Sequence, residues 1–191
     1  MKKVLALLAI GFSFALNAQA TVINLLPSSN DVAVGDDVSL NVNISGAHEA
    51  GSLGVYDLNL NYDSNLFAVK SIAFGDSAKG NQLDLSGFGS LQSSNGGNGW
   101  LNIFELSFDA AEDLINFQAN DFNLFSVVFT ALDKGTGLFS VNVNSFGDAY
   151  GNNLQIDKAT NASVNVPEPT SIALIVLGLL ALGASRINRK V

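Results

Sequence analysis

Cysteine is absent from the 191 residues. That excludes a disulfide framework, a lipid-modified cysteine and a thiolate metal site, so the core must hold by packing alone. Histidine is nearly absent too, since His48 is the single one. With one imidazole and no thiol, no zinc or copper site of usual composition can be assembled. His48-Glu49 does not extend to a second histidine, so the zinc-protease helix pattern fails. Any Ser-His-Asp arrangement would have to use His48, which sits in the loop-like stretch SGAHEAGS and reads as an exposed bystander. Positive charge is scarce: between Thr21 and Val166 there are four lysines (Lys70, Lys79, Lys134, Lys158) and no arginine, against sixteen carboxylates, a balance of −12. Without a cationic stripe to displace phosphate counterions, nucleic acid is excluded as a partner. Glycine patterns of the nucleophile elbow, phosphate loop or dinucleotide fold are missing as well. Paired carboxylates could in principle hydrolyse a glycoside, but no spacing in the acidic surface picks out a pair.

What is present begins at the ends. The N-terminal MKKVLALLAIGFSFALNAQA has two lysines, an apolar run from Val4 to Leu16 and a small-residue close at Ala18-Gln19-Ala20. This is the layout of a secretory signal peptide over residues 1–20, cleaved after Ala20, which predicts export. The alternative, an N-terminal membrane anchor, is disfavoured by the shortness of the apolar run.

The segment from 21 to 165 reads as strands. VSLNVNIS alternates Val38, Leu40, Val42 and Ile44 against Ser39, Asn41 and Asn43, and YDLNLNYD does the same with Tyr56, Leu58, Leu60 and Tyr62. WLNIFELSF places Trp100, Phe104, Leu106 and Phe108 on one face, interrupted by Asn102, and LFSVNVNSF does so with Phe139, Val141 and Val143. Period two with β-branched and aromatic residues predicts half-buried antiparallel strands. FNLFSVVFTA (Phe122–Ala131) is more evenly apolar and suits a central strand covered on both faces. The Gly- and Ser-rich stretch from Gly75 to Gly99 predicts irregular strand and loop. DAAEDLINF alone looks helical, with Asp109 and Glu112 spaced as a capping box. Eight or nine short strands and one brief helix predict an all-β, two-sheet β-sandwich.

Two weak binding signals lie within it. GDAYGNN groups Asp148, Asn152 and Asn153 about a glycine, weak candidate oxygen ligands for calcium, although it is not an EF-hand loop and a plain hairpin turn is the better reading. Trp100 and Tyr150, with Tyr56 and Tyr62, are candidates for stacking sugar rings if exposed.

The chain closes on VPEPTSIALIVLGLLALGASRINRKV, which admits a membrane anchor, a packed terminal helix or an address label. Residues 171–185 are apolar apart from the two end serines, and a helix of fifteen residues reaches about 22 Å, short of a roughly 30 Å hydrocarbon core. The run is apolar all round, unlike a helix packed on a sandwich. The trailing Arg186, Arg189 and Lys190 would hold the tail on the cytoplasmic side. A transient membrane insertion ended by cutting fits these features best.

In that order, Pro167-Glu168-Pro169, the glycine-containing apolar run and the basic end (186–191) resemble the PEP-CTERM sorting signal over residues 166–191. The resemblance implies recognition by an exosortase in a Gram-negative bacterium, cleavage near the motif and release to the cell surface or extracellular matrix. It also implies a link to exopolysaccharide production and biofilm formation. In the body, AVGDDVSLNVNISG, LGVYDLNLNYDSNLFAV and SIAFGD, followed by DLINFQANDFNLFSVVFTALDKGTGLFSVNVNSFGDAYGNN, resemble a cohesin domain from about Ile23 to Val164. That implies a nine-stranded jelly-roll sandwich related in fold to several carbohydrate-binding modules. The combined expectation is an exported, non-catalytic binding or adhesion module for exopolysaccharide or a surface protein, needing no cofactor unless calcium. The rival expectation is a self-associating structural surface protein.

Overall fold

A computed structural model describes residues 21–168. The expected signal peptide, Pro169, the apolar run and the basic end therefore lie outside the described residues. Ten strands and one helix follow in order: β1 Val22–Pro27, β2 Asp37–Ser45, β3 Leu53–Asn61, β4 Phe67–Phe74, β5 Ser90–Gly97, β6 Trp100–Ser107, α1 Ala111–Phe117, β7 Asp121–Ala131, β8 Gly135–Asp148, β9 Lys158–Ala159 and β10 Ala162–Val166. They form two five-stranded sheets, β4-β7-β2-β1-β9 and β10-β8-β3-β6-β5. This is the all-β sandwich expected from the alternation, with the two-residue β9 as the strand beyond nine. Among the pairings of these strands only the short β1–β9 one is parallel.

The alternating apolar residues meet between the sheets. Val38, Leu40, Val42 and Ile44 of β2 and Tyr56, Leu58 and Leu60 of β3 are all buried. Aromatic rings bridge the layers in two groups. Phe67, Phe129 and Phe139 pack with centroids 5.0 to 6.3 Å apart. Tyr56 lies 6.0 Å from Phe125 and 6.2 Å from Phe146. Ring pairs of this kind add about 1 kcal/mol each beyond the area they bury.

Four local expectations are corrected. On β6 the buried residues are Leu101, Ile103 and Glu105, while Trp100 and Leu106 face out. The β5–β6 hairpin turns at Asn98-Gly99, where Gly99 has φ +78°, and this fixes the pairing Gly97↔Trp100 and hence the phase of the whole strand. A one-residue shift in phase exchanges every side chain between core and solvent. Val143 stands opposite the buried Leu58, on the inner row with Phe139 and Val141, yet it is 40% exposed, and β8 loses its alternation only beyond it, where the β3–β8 register shifts between Asp57 and Leu58. Strand β7 is central, between β4 and β2, yet its outward Ser126, Val128 and Thr130 are only half-buried because no layer covers that face. Helix α1 has no capping box: its N-cap is Ala110, without a side-chain cap. Asp109 instead accepts the backbone N–H of Leu85 at 2.6 Å and of Ser86 at 3.2 Å, tying down the loop before β5.

Candidate interaction face

The two outer faces of the sandwich differ in chemistry. Outside β4-β7-β2-β1-β9, Ser126 donates to Asn41 at 2.8 Å, Thr130 donates to Asp37 at 2.7 Å, and Lys70 pairs with Asp37. That is an ordinary solvated surface. The large apolar side chains exposed on the outward rows of strands concentrate on the other sheet: Leu91, Trp100, Leu106 and Leu138, against Leu26 alone on the first.

Register explains the arrangement. The pairings Val55↔Leu106, Asp57↔Phe104, Asn59↔Asn102 and Asn61↔Trp100 align the outward residues of β3 and β6, and Leu91↔Leu106 and Asn95↔Asn102 continue the rows onto β5. At the centre is a closed ring of side chains. Asn102 donates to Asp57 at 2.6 Å and to Asn59 at 2.9 Å. Asn59 then donates to Asn144 at 3.1 Å, and Asn144 donates back to Asp57 at 3.0 Å. Asn144 reaches the ring because it is the additional residue of the β8 bulge, between Val143 and Ser145 in the pairing with β3. Each amide is thus fixed in orientation, and apolar Val55, Leu91 and Leu106 adjoin the ring at one end. Asp57 is the single charged side chain among the outward residues of β3 and β6, on a strongly acidic domain. Depletion of charge with apolar and aromatic enrichment marks the centre of protein interfaces.

Behind this face lies a buried carboxylate. Glu105 is fully buried and accepts from Tyr56 at 3.0 Å, Asn81 at 2.6 Å, Ser90 at 2.6 Å and Gln92 at 2.9 Å. Burial first, and then the neighbouring Glu105 carboxylate, push the Tyr56 phenol well above its ordinary value. Four donors compensate a charge that would otherwise be costly to bury. Their positions show its role: Glu105 fastens β5 and the loop before it to the sheet. Sequence reading placed Glu105 on the wrong side of β6, and its partners, scattered from Tyr56 to Gln92, share no motif. The Asn59–Asn102–Asn144 ring was equally hidden, because cross-strand register is not written in any one strand.

The residues singled out from sequence are dispersed. Trp100 is 40% exposed and, with Tyr62 and Phe67, lines a cleft of about 340 Å³ between the β5–β6 hairpin and the start of β4. Tyr150, 65% exposed, lies in the turn after β8, at the Leu53 end of β3. Trp100 pairs at the Asn61 end, eight residues along the strand and about 26 Å away at 3.3 Å per residue. The two rings therefore form no common platform. Asp148 closes its own turn, accepting the backbone N–H of Tyr150 at 2.9 Å and of Asn152 at 2.8 Å, and the Asn152 amide at 3.0 Å on its second oxygen. Desolvation alone would raise the Asp148 carboxyl, but the donors from Asn152 and Tyr150 outweigh it and hold it below its ordinary value. Both oxygens face N–H groups. Among the described residues no cluster of three or more His, Asp or Glu could hold a metal ion. His48 is exposed in the turn after β2. Of the sorting motif, Pro167 and Glu168 follow β10 directly, and Glu168 pairs with Lys134. That bond and the carboxylate's charge raise the Lys134 ammonium above its ordinary value.

Comparison with known proteins agrees with this architecture. A cohesin domain model matches residues 23–166, and a PEP-CTERM protein-sorting motif matches residues 165–190. The comparison with curated proteins returned no match. Among solved structures, a type II cohesin domain from the cellulosome of Acetivibrio cellulolyticus superposes with a TM-score of 0.64 at 16% identity, over 76% of this chain and 95% of that one. A non-cellulosomal cohesin from the archaeon Archaeoglobus fulgidus gives 0.58 at 19% identity, over 78% and 92%. A type I cohesin–dockerin complex from Clostridium thermocellum matches at 0.59 and 17% identity, over 76% and 99%. The chain belongs to the cohesin family, and its cohesin domain is followed by a PEP-CTERM sorting motif.

Proposed function

We propose that this protein is an exported, non-catalytic docking module that binds a protein partner through the open face of the β8-β3-β6-β5 sheet. The observation that carries this reading is the concentration of exposed apolar side chains around an ordered, nearly uncharged amide ring on one sheet only. Such a surface offers apolar contact and pre-oriented hydrogen-bond groups, and its rigidity lowers the entropy lost on binding. A relative from Clostridium thermocellum is described in complex with a dockerin, so a dockerin-type module is the first partner to try. In this account the signal peptide directs export, and an exosortase cuts near Pro167-Glu168-Pro169 after transient insertion of the apolar run. The mature domain, close to residues 21–166, then reaches the cell surface or matrix.

A second reading rests on the Trp100–Tyr62 cleft, which has room for one or two sugar rings of an exopolysaccharide. One binding experiment separates the two. Residues 21–166 contain every core residue of the described sandwich, and their saturable retention is measured on envelope and secreted fractions, untreated, protease-treated or glycan-depleted, with and without calcium. Loss of retention after proteolysis supports the docking reading. Retention that survives proteolysis, and is lost on Trp100→Ala, supports the sugar reading instead.

A further inference from the structure

The sorting motif is joined to the sandwich with almost no linker. Strand β10 pairs with β8 up to Val166↔Gly135, and Val166 is 2% exposed. Only Pro167 to Thr170 separate that buried residue from Ser171, where the apolar run begins. Four extended residues span at most about 14 Å. The ion pair of Glu168 with Lys134 in the β7–β8 turn shortens the free length to two residues, about 7 Å.

The same end of the sandwich presents apolar tips. Gly35 N–H donates to the Ala131 carbonyl at 2.8 Å, which sets the loop before β2 beside the β7–β8 turn. From these two segments project Val34, 41% exposed, and Leu132, 48% exposed. Asp36 and Asp133 flank them, so attraction to an anionic surface does not drive a contact here. The short tether does.

We propose that, while the C-terminal segment is still attached, this end of the sandwich rests on the membrane, with Val34 and Leu132 reaching the lipid interface. The inference depends on the sorting reading, in which the apolar run enters a bilayer. It goes further by stating which end of the domain the lipid surface contacts. The interaction face then stands upright from the membrane and stays open to a partner before release.

The lack of cysteine makes the test direct. Full-length protein carrying Leu132→Cys, Val34→Cys or, as a control at the opposite end, Tyr150→Cys is labelled with an environment-sensitive fluorophore. It is then reconstituted into phosphatidylcholine vesicles with and without nitroxide-labelled lipid. The expected result is a blue shift and severalfold stronger quenching at 132 and 34 than at 150, lost when the chain is truncated after Glu168. Protein that floats with vesicles but shows equal quenching at all three positions overturns the proposal and leaves the sorting reading standing. Quenching that persists after truncation overturns the role given to the tether. Failure to float with vesicles removes the sorting reading, and this proposal with it.

Discussion

At the scale of single residues, the account turns on polar groups the core had no choice but to accommodate. Tyr56 is fully buried and donates to Glu105. Tyr56→Phe keeps the ring packing and removes one charge-assisted bond, so urea denaturation should show a loss of about 2 kcal/mol. Ser52 is the opposite case: it holds φ +61°, the only non-glycine residue described with positive φ, and its buried hydroxyl has no partner. Ser52→Gly removes both costs, and we expect a gain of about 1 kcal/mol, after the added entropy of the unfolded chain is subtracted. Asp76 sets an acid limit. Partial burial alone would raise its carboxyl, but backbone N–H groups of Asn123, Ala78 and Lys79 outweigh that and hold it below its ordinary value. A lowered folded-state pKa gives stability that is present above the unfolded value and lost as pH falls through the folded one. The stability gap between the protein and Asp76→Asn should therefore be constant near neutrality and close below about pH 4.

At the scale of strands, packing between sheets decides which positions tolerate a side chain. Gly137 on β8 faces the Phe67 ring, and a Cβ there would stand 2.3 Å from Cε2 of Phe67. Gly137→Ala should cost about 2 kcal/mol and lower the melting temperature, because Phe67 is wedged between Phe129 and Phe139 and has little room to move. The same scale shows what sequence can and cannot reveal. Alternation in β2 and β3 was legible because both strands keep one phase against a single core, so Val38 to Ile44 and Tyr56 to Leu60 read correctly. Phase failed on β6 because its outward residues, Trp100, Phe104 and Leu106, are as apolar as its inward ones. Size and hydrophobicity pointed to the wrong face, and only the Asn98-Gly99 hairpin register could have reversed the reading. That outward face, apolar in a sheet covered on one side only, is the one on which the docking proposal rests. The amide ring stayed hidden for another reason, since Asn144 joins it through a bulge that no periodicity announces.

At the scale of the whole molecule, the described residues form a sandwich with one polar outer face and one outer face that gathers apolar side chains around an amide ring, and a sorting motif follows the last strand. Among the described residues the one buried carboxylate, Glu105, is engaged in holding β5. The most direct test of the docking claim is the affinity of residues 21–166 for a purified protein partner, a dockerin-type module first, measured by titration calorimetry for the unaltered domain and for Leu106→Asp. Leu106 lies on the surface beside the amide ring, so the substitution should leave the melting temperature within a degree or two. The account expects it to weaken binding by about 2 kcal/mol or more, at least roughly thirtyfold. A domain that binds its partner equally well with Leu106→Asp, its fold intact, would contradict the assignment of this face.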